Sequence, residues 1–463
     1  MSPRIAPPDS RRRREAGQRA SVLIVVLWVA FGLIALALYF ANSMSLELKA
    51  SDNGLGDLEA EKAIEGAARY VSNVLALAQM KGVLPDTNTY YYANVAVGEA
   101  TFWLIGRSDA DDPVGVAHFG LVDEGSRLDL NKAGTNMLQY LPNMTQELMA
   151  SIIDWRDTNE TVSLGGAESE TYQQRTPPYR CKNANFETVD ELRMVYGATP
   201  ELLYGEDVNL NGILDRNEND GDTTPPSDNQ DSKLNPGMLE FFTVYSRQPT
   251  TDTNGTNRII VTGLTNLRQQ LGTILQAKLG DRGNDVLSQL TRAGGGGAGA
   301  AGTPMFNSVM QFYIRSGMTA AEFALVEDVL MNPTNNCQVN VNTASAEVLA
   351  CIPGIGYDNA TTLVSTRRAQ AGTGTLSSIA WVRDALGNTA AQQAGPYITG
   401  KSFQFCADIA AIGHFGRGYR RVKFIFDTSQ GIPRIVYRQD LTHLGWALGR
   451  DVLLAQQNLA RNR

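Results

Sequence analysis

SVLIVVLWVAFGLIALALYFA, residues 21–41, is an unbroken apolar run placed directly behind the arginine-rich RRRREAGQRA of residues 11–20. No charged residue falls between Arg19 and Glu47, and about 20 apolar helical residues are enough to cross a bilayer. A cleaved secretory signal has an apolar segment of only about 7–15 residues with a small-residue cleavage site behind it. This run is longer, and Asn42, Ser43 and Met44 offer no such site. Arginines flanking a span stay in the cytoplasm, which sends everything after Ala41 across the membrane. The sequence describes a single-pass protein with a large exported body.

Composition narrows what that body does. The whole chain of 463 residues carries a net charge of −8. Residues 1–20 hold six arginines against Asp9 and Glu15, a local +4, so the remainder carries −12. An acidic body lacks the basic footprint that binding to nucleic acid requires. A 43% apolar content is that of a folded protein. The four cysteines (Cys181, Cys337, Cys351, Cys406) form no C-x-x-C pair, which leaves a zinc or dithiol site without support. In an oxidising compartment they make one or two disulfides or remain free.

Working outward from the apolar run, LEAEKAIEGAARYVSNVLALAQ (58–79) repeats small and apolar residues at three- and four-residue steps. Ala60, Ala63, Ile64, Ala67, Val71, Val74, Leu75 and Ala78 form one stripe, with Glu59, Glu61, Lys62, Glu65 and Arg69 off it. Residues 21–83 read as a long helix, apolar all round below and amphipathic above. TFWLIGR (101–107) and AHFGLVDEGSRLDLN (117–131) have strand character. It returns in SFQFCADIAAI (402–412), YRRVKFIFDTS (419–429) and IPRIVYRQDL (432–441). Residues between these groups are mostly helical. The economical topology is α+β: a long N-terminal helix on a small antiparallel sheet, interrupted by a large all-α insertion. The expected parts are a basic leader (1–20), the helix (21–83), a first part of the sheet (84–130) and the insertion (131–395). A second part of the sheet (396–450) and a tail (451–463) complete the chain.

The insertion contains a repeat. LDLNKAGTNMLQYLPNMTQELMASIIDWR (128–156) aligns without gaps on VNVNTASAEVLACIPGIGYDNATTLVSTR (339–367), at a constant offset of 211. Asn131 matches Asn342, Ala133 matches Ala344, Pro142 matches Pro353 and Arg156 matches Arg367. In each copy a short extended piece ends at an asparagine expected to cap the next helix, and a proline-led turn introduces a second helix. These read as two helix-hairpin-helix-like units. Residues 265–290 suggest helices with Leu267, Leu271, Ile274, Leu275 and Leu279 on one face. AGGGGAGAAG (293–302) reads as a flexible linker within an insertion at 250–335.

One segment carries a metal-binding pattern. Asp207, Asn209, Asn211, Gly212, Ile213, Asp215 and Glu218 fill the constrained positions of a twelve-residue calcium loop (207–218). Side-chain oxygens stand at positions 1, 3, 5 and 9, glycine bends the chain at 6, and Glu218 can clamp bidentately. Ile213 would give its backbone carbonyl. Such a hard-oxygen set suits calcium rather than zinc. Pro225 and Pro226 exclude a following helix, and two asparagines among the ligands suggest an affinity on the order of 10⁻⁴–10⁻³ M. DWRDTNETVSLGGAESE (154–170) is a second acidic cluster whose spacing alone does not separate a site from a solvated face. Pro353-Gly354-Ile355-Gly356 has the form of a phosphate-holding hairpin turn, but Tyr357, Asp358 and Asn359 follow it instead of cations. The three histidines stand apart, and there is no G-x-S-x-G, Walker or dinucleotide pattern. The reading is of a non-enzyme.

The basic leader, the apolar helix and its amphipathic extension together resemble the type IV pilin-like proteins. RASVLIVVLWV, GLVDEGSRLDLNKA, IIDWRDTNE with GGAESE, YRCKNANFETVDELRMVYGATPELL and VNVNTASAEVLACIPGI, in this order, are similar to the type II secretion minor pseudopilin K family (general secretion pathway protein K). The resemblance implies a leader removed by the prepilin peptidase, usually after glycine, with methylation of the new N-terminus. Here the residue is Ala20, a departure, and the mature chain would begin at Ser21. The glutamate most pseudopilins carry at the fifth mature position is Val25, as this family's pattern expects. A tip subunit has no earlier subunit to pair such a carboxylate, which is costly in hydrocarbon.

The family also implies calcium bound near two acidic segments, which brings Asp157, Asn159 and Glu168 in beside the 207–218 loop. Its implied partners are minor pseudopilins I and J, the major pseudopilin, the peptidase, the inner-membrane assembly platform and secreted cargo. Nucleic acid is not among them. The implied place is the inner membrane, with the body in the periplasm of a Gram-negative cell. Two rivals remain at this point: a DNA-uptake receptor, because VNVNTASAEVLACIPGIG also resembles the hairpin domain of competence receptors, and a type IV pilus tip protein. Intact-mass measurement on the membrane-extracted protein is expected to show a chain beginning at Ser21 and carrying one methyl group. A mature chain that retains Met1 would contradict the reading.

Overall fold

The computed structural model describes residues 10–78, 81–107, 115–261, 264–292, 306–372 and 374–461. The glycine linker lies outside them, as do the side chains of Ala20 and Ser21. One helix, α1, runs unbroken from Ser10 to Leu77. It passes through Gly54 and Gly56 without interruption and stops a turn earlier than the periodicity suggests, ahead of Gly82 at φ 76° and Pro85. Among the described residues it is the one helix long and apolar enough to cross a membrane.

The upper half of α1 lies on an antiparallel sheet. Its strands, in spatial order, are Val95–Val97, Ala100–Ile105, Gln404–Ile412, Tyr419–Asp427 and Arg434–Asp440, with Val122–Asp123 also pairing onto Gln404–Ile412. Gln404–Ile412 is buried along its whole length because both of its faces are covered. Phe405, Ala407, Ile409 and Ala411 meet Ala60, Ala63, Ile64, Ala67 and Val71 of α1, and Ala410 and Ile412 pack with Trp103, Ile105 and Leu448 on the other face. Small residues on both partners let helix and sheet approach closely.

That approach is closest at one loop. A Cβ on Gly418 would stand 2.3 Å from the Gly56 carbonyl carbon, and one on Gly413 would stand 2.2 Å from the Gly56 oxygen. The same loop holds α1 by charge. His414 donates its backbone N–H to Glu59 Oε2 at 3.0 Å, and its ring bridges Glu59 (2.7 Å) and Asp52 (3.0 Å). Arg417 pairs with Asp52 and Arg420 with Asp57. The backbone bond from His414 leads in holding the Glu59 carboxyl below its usual range.

The stretch 117–131 is not the strand its composition suggested. Phe119 makes an antiparallel bridge to Ile105, with Gly106 N–H donating to His118 O and Gly120 N–H to Leu104 O at 2.8 Å each, and Val122–Asp123 pairs onto Gln404–Ile412. Glu124–Ser126 turns away, with Asp123 Oδ1 accepting the Gly125 N–H at 2.7 Å, and Leu128–Asp129 pairs in parallel with Phe242–Thr243 in the helical region. Here the chain leaves the sheet. It returns through Ile398–Thr399, which pairs in parallel with Val339–Asn340. Between the two crossings one large apolar core runs from Leu128 to Ile398. Leu271 and Leu275 belong to it, on the helix Leu264–Leu279.

The two repeat copies make corresponding bonds. Leu130 N–H donates to Thr243 O at 2.8 Å and Val341 N–H to Thr399 O at 3.0 Å. Arg156 donates to the carbonyls of Leu130 and Ala133, and Arg367 to those of Val341 and Ala344. The asparagines do not cap helices, contrary to the expectation. The N-caps are Gly134 and Ser345, while Asn131 exchanges two bonds with the Phe186 backbone and Asn342 holds Leu376 O, Gly400 O and the Trp381 indole. They tie each unit to a distant segment. The first turn lacks glycine, yet Asn143 takes φ 59° where Gly354 takes φ 87°, because asparagine tolerates the left-handed region.

A valine at Gly418, which sits at φ 68°, would meet the α1 backbone and strain its own. Gly418→Val is expected to destabilise the chain by about 1–3 kcal/mol, read as a lowered melting temperature of the detergent-solubilised protein. An unchanged midpoint would show that the loop does not hold the helix.

Candidate metal centres

The loop from Asp207 to Glu218 is shaped by its own side-chain oxygens. Asp207 Oδ1 accepts the Asn211 N–H at 2.9 Å and Oδ2 the Gly212 N–H at 2.8 Å. Asn209 Oδ1 accepts from Asn211 N–H at 3.0 Å, Asn211 Oδ1 from Ile213 N–H at 2.7 Å, and Glu218 Oε2 from Asp215 N–H at 2.9 Å. The Asp207, Asn209 and Asn211 side chains fold forward over the next residues and Glu218 reaches back to Asp215, which curls the loop around its oxygens. Gly212 has φ 71°, and a Cβ there would lie 2.9 Å from Arg107 Cδ, so position 6 requires glycine twice over. Ile213 is buried. The chain exits through a short turn, Arg216–Glu218, and not a helix.

Asp207 and Glu218 are buried, while Arg216, the basic residue within the loop, is exposed. Asp215 Oδ2 accepts the amide groups of Asn209 (2.8 Å) and Asn211 (3.1 Å). Glu218 is buried, and burial first, with the charges of Asp207 and Asp215 adding, pushes its carboxyl up to about 8. Burial likewise raises Asp207, against the pull of Arg107. Buried carboxylates of this kind are stabilised by a hard cation with oxygen preference.

A second centre forms where helix Gln146–Arg156 ends. Asp154 on its last turn, Asp157 at its C-cap and Glu168 at the N-cap of Ser169–Gln173 bring ligand oxygens within 4.8 Å of one another. Asp154 is fully buried and Glu168 is 2% exposed. Asp154 accepts the Ser163 N–H at 3.1 Å, whereas Glu168 faces the Cys181 thiol and its oxygens have no closer donor among the described residues. Burial above all, with Asp154, Asp157 and Glu160 adding, pushes the Glu168 carboxyl up to about 7. A bare buried carboxylate facing two others is what a divalent cation offsets. A Cβ on Gly166 would lie 2.1 Å from Asp154 Oδ2, so the glycine opens the cradle.

Sequence reading singled out Asp157, Asn159 and Glu168 here and missed Asp154. The signal was the i, i+3 pair in DWRD, which places both carboxylates at one helix end. Asn159 is exposed, and its Oδ1 accepts the Thr161 N–H at 2.7 Å. No residue of the 207–218 loop joins the carboxylates that meet at Asp154. Other chemistry-bearing groups serve packing: all four cysteines are free and buried, and Arg367 is committed to the carbonyls of its own unit.

Comparison with known proteins follows this geometry. Residues 129–204 match the family described as type II secretion system (T2SS), protein K. Over 57 residues the chain is 35% identical to the type II secretion system protein K of Pectobacterium carotovorum subsp. carotovorum, covering 12% of this chain and 17% of that protein. The alignment thus spans under a fifth of the relative's length. Among solved structures, the GspK-GspI-GspJ complex from the enterotoxigenic Escherichia coli type 2 secretion system aligns over 86% of this chain and 99% of that one. The TM-score is 0.38 and the identity 10%.

The pH dependence follows from Glu168 and Glu218. Both are raised from an ordinary 4.5, to about 7 and about 8. The folded chain therefore keeps protons that the unfolded chain has released, and stability falls as pH rises through that window. In chelator the melting temperature is expected to drop between those values, and saturating calcium to abolish the drop. A flat profile in chelator would contradict the assignment.

Proposed function

We propose that this chain is a minor pseudopilin of a type II secretion system that forms and caps the tip of the periplasmic pseudopilus and helps start its assembly. The observation that carries this reading is the double-faced α1. Ala60, Ala63, Ile64, Ala67 and Val71 are buried by the sheet, while Leu55 and Leu58 on the opposite face, and Met44, Leu46 and Leu48 below the sheet, are more than half exposed. That exposed stripe continues the apolar surface of residues 21–41 and ends at Leu58, above which Lys62, Glu65 and Arg69 occupy the same face. A stripe that is apolar inside the bilayer and stays apolar beyond it suits a helix passed from lipid into a bundle of like helices.

The helical region, with its two helix-hairpin-helix-like units, would stand above that bundle and block further addition, and Val25 leaves no carboxylate to pair with an earlier subunit. The partners of this reading are minor pseudopilins I and J, the major pseudopilin, the prepilin peptidase and the inner-membrane platform. Secreted cargo would meet the outward helical face. Asp207, Asn209, Asn211, the Ile213 carbonyl, Asp215 and Glu218 would hold one calcium, and Asp154, Asp157 and Glu168 another. Calcium would neutralise these carboxylates and rigidify the two loops. DNA binding is disfavoured because Arg367 is spent within its own unit and Asp358 stands beside the glycine turn.

Leu48→Arg and Leu55→Arg are expected to abolish both secretion and co-purification with minor pseudopilins I and J while leaving the melting temperature unchanged, since both side chains face away from the body. Normal secretion by the double variant would overturn the reading.

A further inference from the structure

The calcium loop does not hang free in the helical region; it rests on the sheet. Arg421, in strand Tyr419–Asp427, is fully buried. Its Nη1 donates to Asn209 O at 2.5 Å and its Nη2 to Leu210 O at 2.8 Å. Nε and Nη2 also bind Asp408 of the neighbouring strand, at 2.9 and 2.6 Å. Arg107 adds a second donor to Leu210 O at 3.3 Å. Asn209 Nδ2 reaches Trp446 O at 3.2 Å, which closes the seat from the segment after the last strand. Leu210 is held at φ 54°, an unfavourable region for a branched side chain.

We propose that Arg421 is the positioning residue of this loop, and that cation occupancy of the loop is coupled through it to the packing of the sheet. The proposal rests on the calcium reading of residues 207–218. Positions 3 and 4 of the loop are those whose carbonyls the guanidinium holds, so the left-handed turn at Leu210 is set from outside the loop. That turn separates Asn209 from Asn211 and decides whether their side-chain oxygens and those of Asp207 converge. A loop ordered in advance loses less conformational freedom on binding and holds its cation more tightly. A guanidinium spans two adjacent carbonyls and a carboxylate at once, which an ammonium cannot do.

The test is calcium chloride titration calorimetry on the full chain in detergent after chelator treatment, the loop site being identified as the one lost in Glu218→Gln. Arg421→Lys is expected to weaken that site by about tenfold or more and to leave the site at Asp154, Asp157 and Glu168 unchanged. Asp408→Asn breaks the same ion pair but spares the carbonyl contacts, and is expected to keep near-parent affinity. Equal affinity in Arg421→Lys and the parent overturns the proposal. Equal weakening by both variants overturns it as well, since general loosening would then explain the loss. If Glu218→Gln removes no site because the parent loop takes no calcium, the calcium reading fails and the coupling with it. Should Arg421→Lys not fold, hydrogen exchange on the parent chain decides. Calcium is expected to protect amides 419–422 and 446–449 together with 207–218, and protection confined to the loop overturns the coupling.

Discussion

Buried guanidinium groups join the two halves of this molecule, and the rest of its architecture depends on them. Arg421 links strand Tyr419–Asp427 to the 207–218 loop, and Arg107 and Arg127 converge on Glu240 from the sheet side at 2.9 and 3.1 Å. Burial alone would raise the Glu240 carboxyl, yet the two arginines hold it at about 2. Such pairs add little net stability compared with apolar packing, but breaking one leaves an uncompensated buried charge and costs about 3–5 kcal/mol. They therefore specify one docking of the helical region on the sheet and penalise the alternatives.

That docking matters because, among the described residues, the chain passes between the two layers at Leu128–Asp129 and Ile398–Thr399. Two short crossings would let a large insertion pivot. Each is instead fixed by the parallel pairing described above, and the core of the helical region closes around both. Below it, the loop containing Gly413, His414 and Gly418 grips α1 at Gly56. The body is thus attached to one end of a rod whose other end is long and apolar enough to cross a membrane.

The internal repeat shows how little sequence identity such a unit needs. Arg156 and Arg367 hold the same pair of carbonyls, and Asn143 and Gly354 take the same backbone region with different chemistry. What is kept is the set of bonds that closes the unit on itself. The roles of Asn131 and Asn342 were misjudged from the sequence because an asparagine before a helix looks like a cap, and only its partners in other segments reveal that it is a tie.

The sequence by itself determined the long apolar segment, the amphipathic upper helix, the interrupted sheet, the repeat and the twelve-residue acidic loop. Each of these rests on periodicity or on spacing along one stretch of chain, which folding does not change. Only the tertiary structure decided that 117–131 leaves the sheet after Asp123, that Asp154 joins Asp157 and Glu168, and that Arg421 reaches the loop from more than two hundred positions away. Those outcomes depend on which distant groups become neighbours once the core closes. Burial then decides what a carboxylate or a guanidinium is worth there, and no local pattern records it.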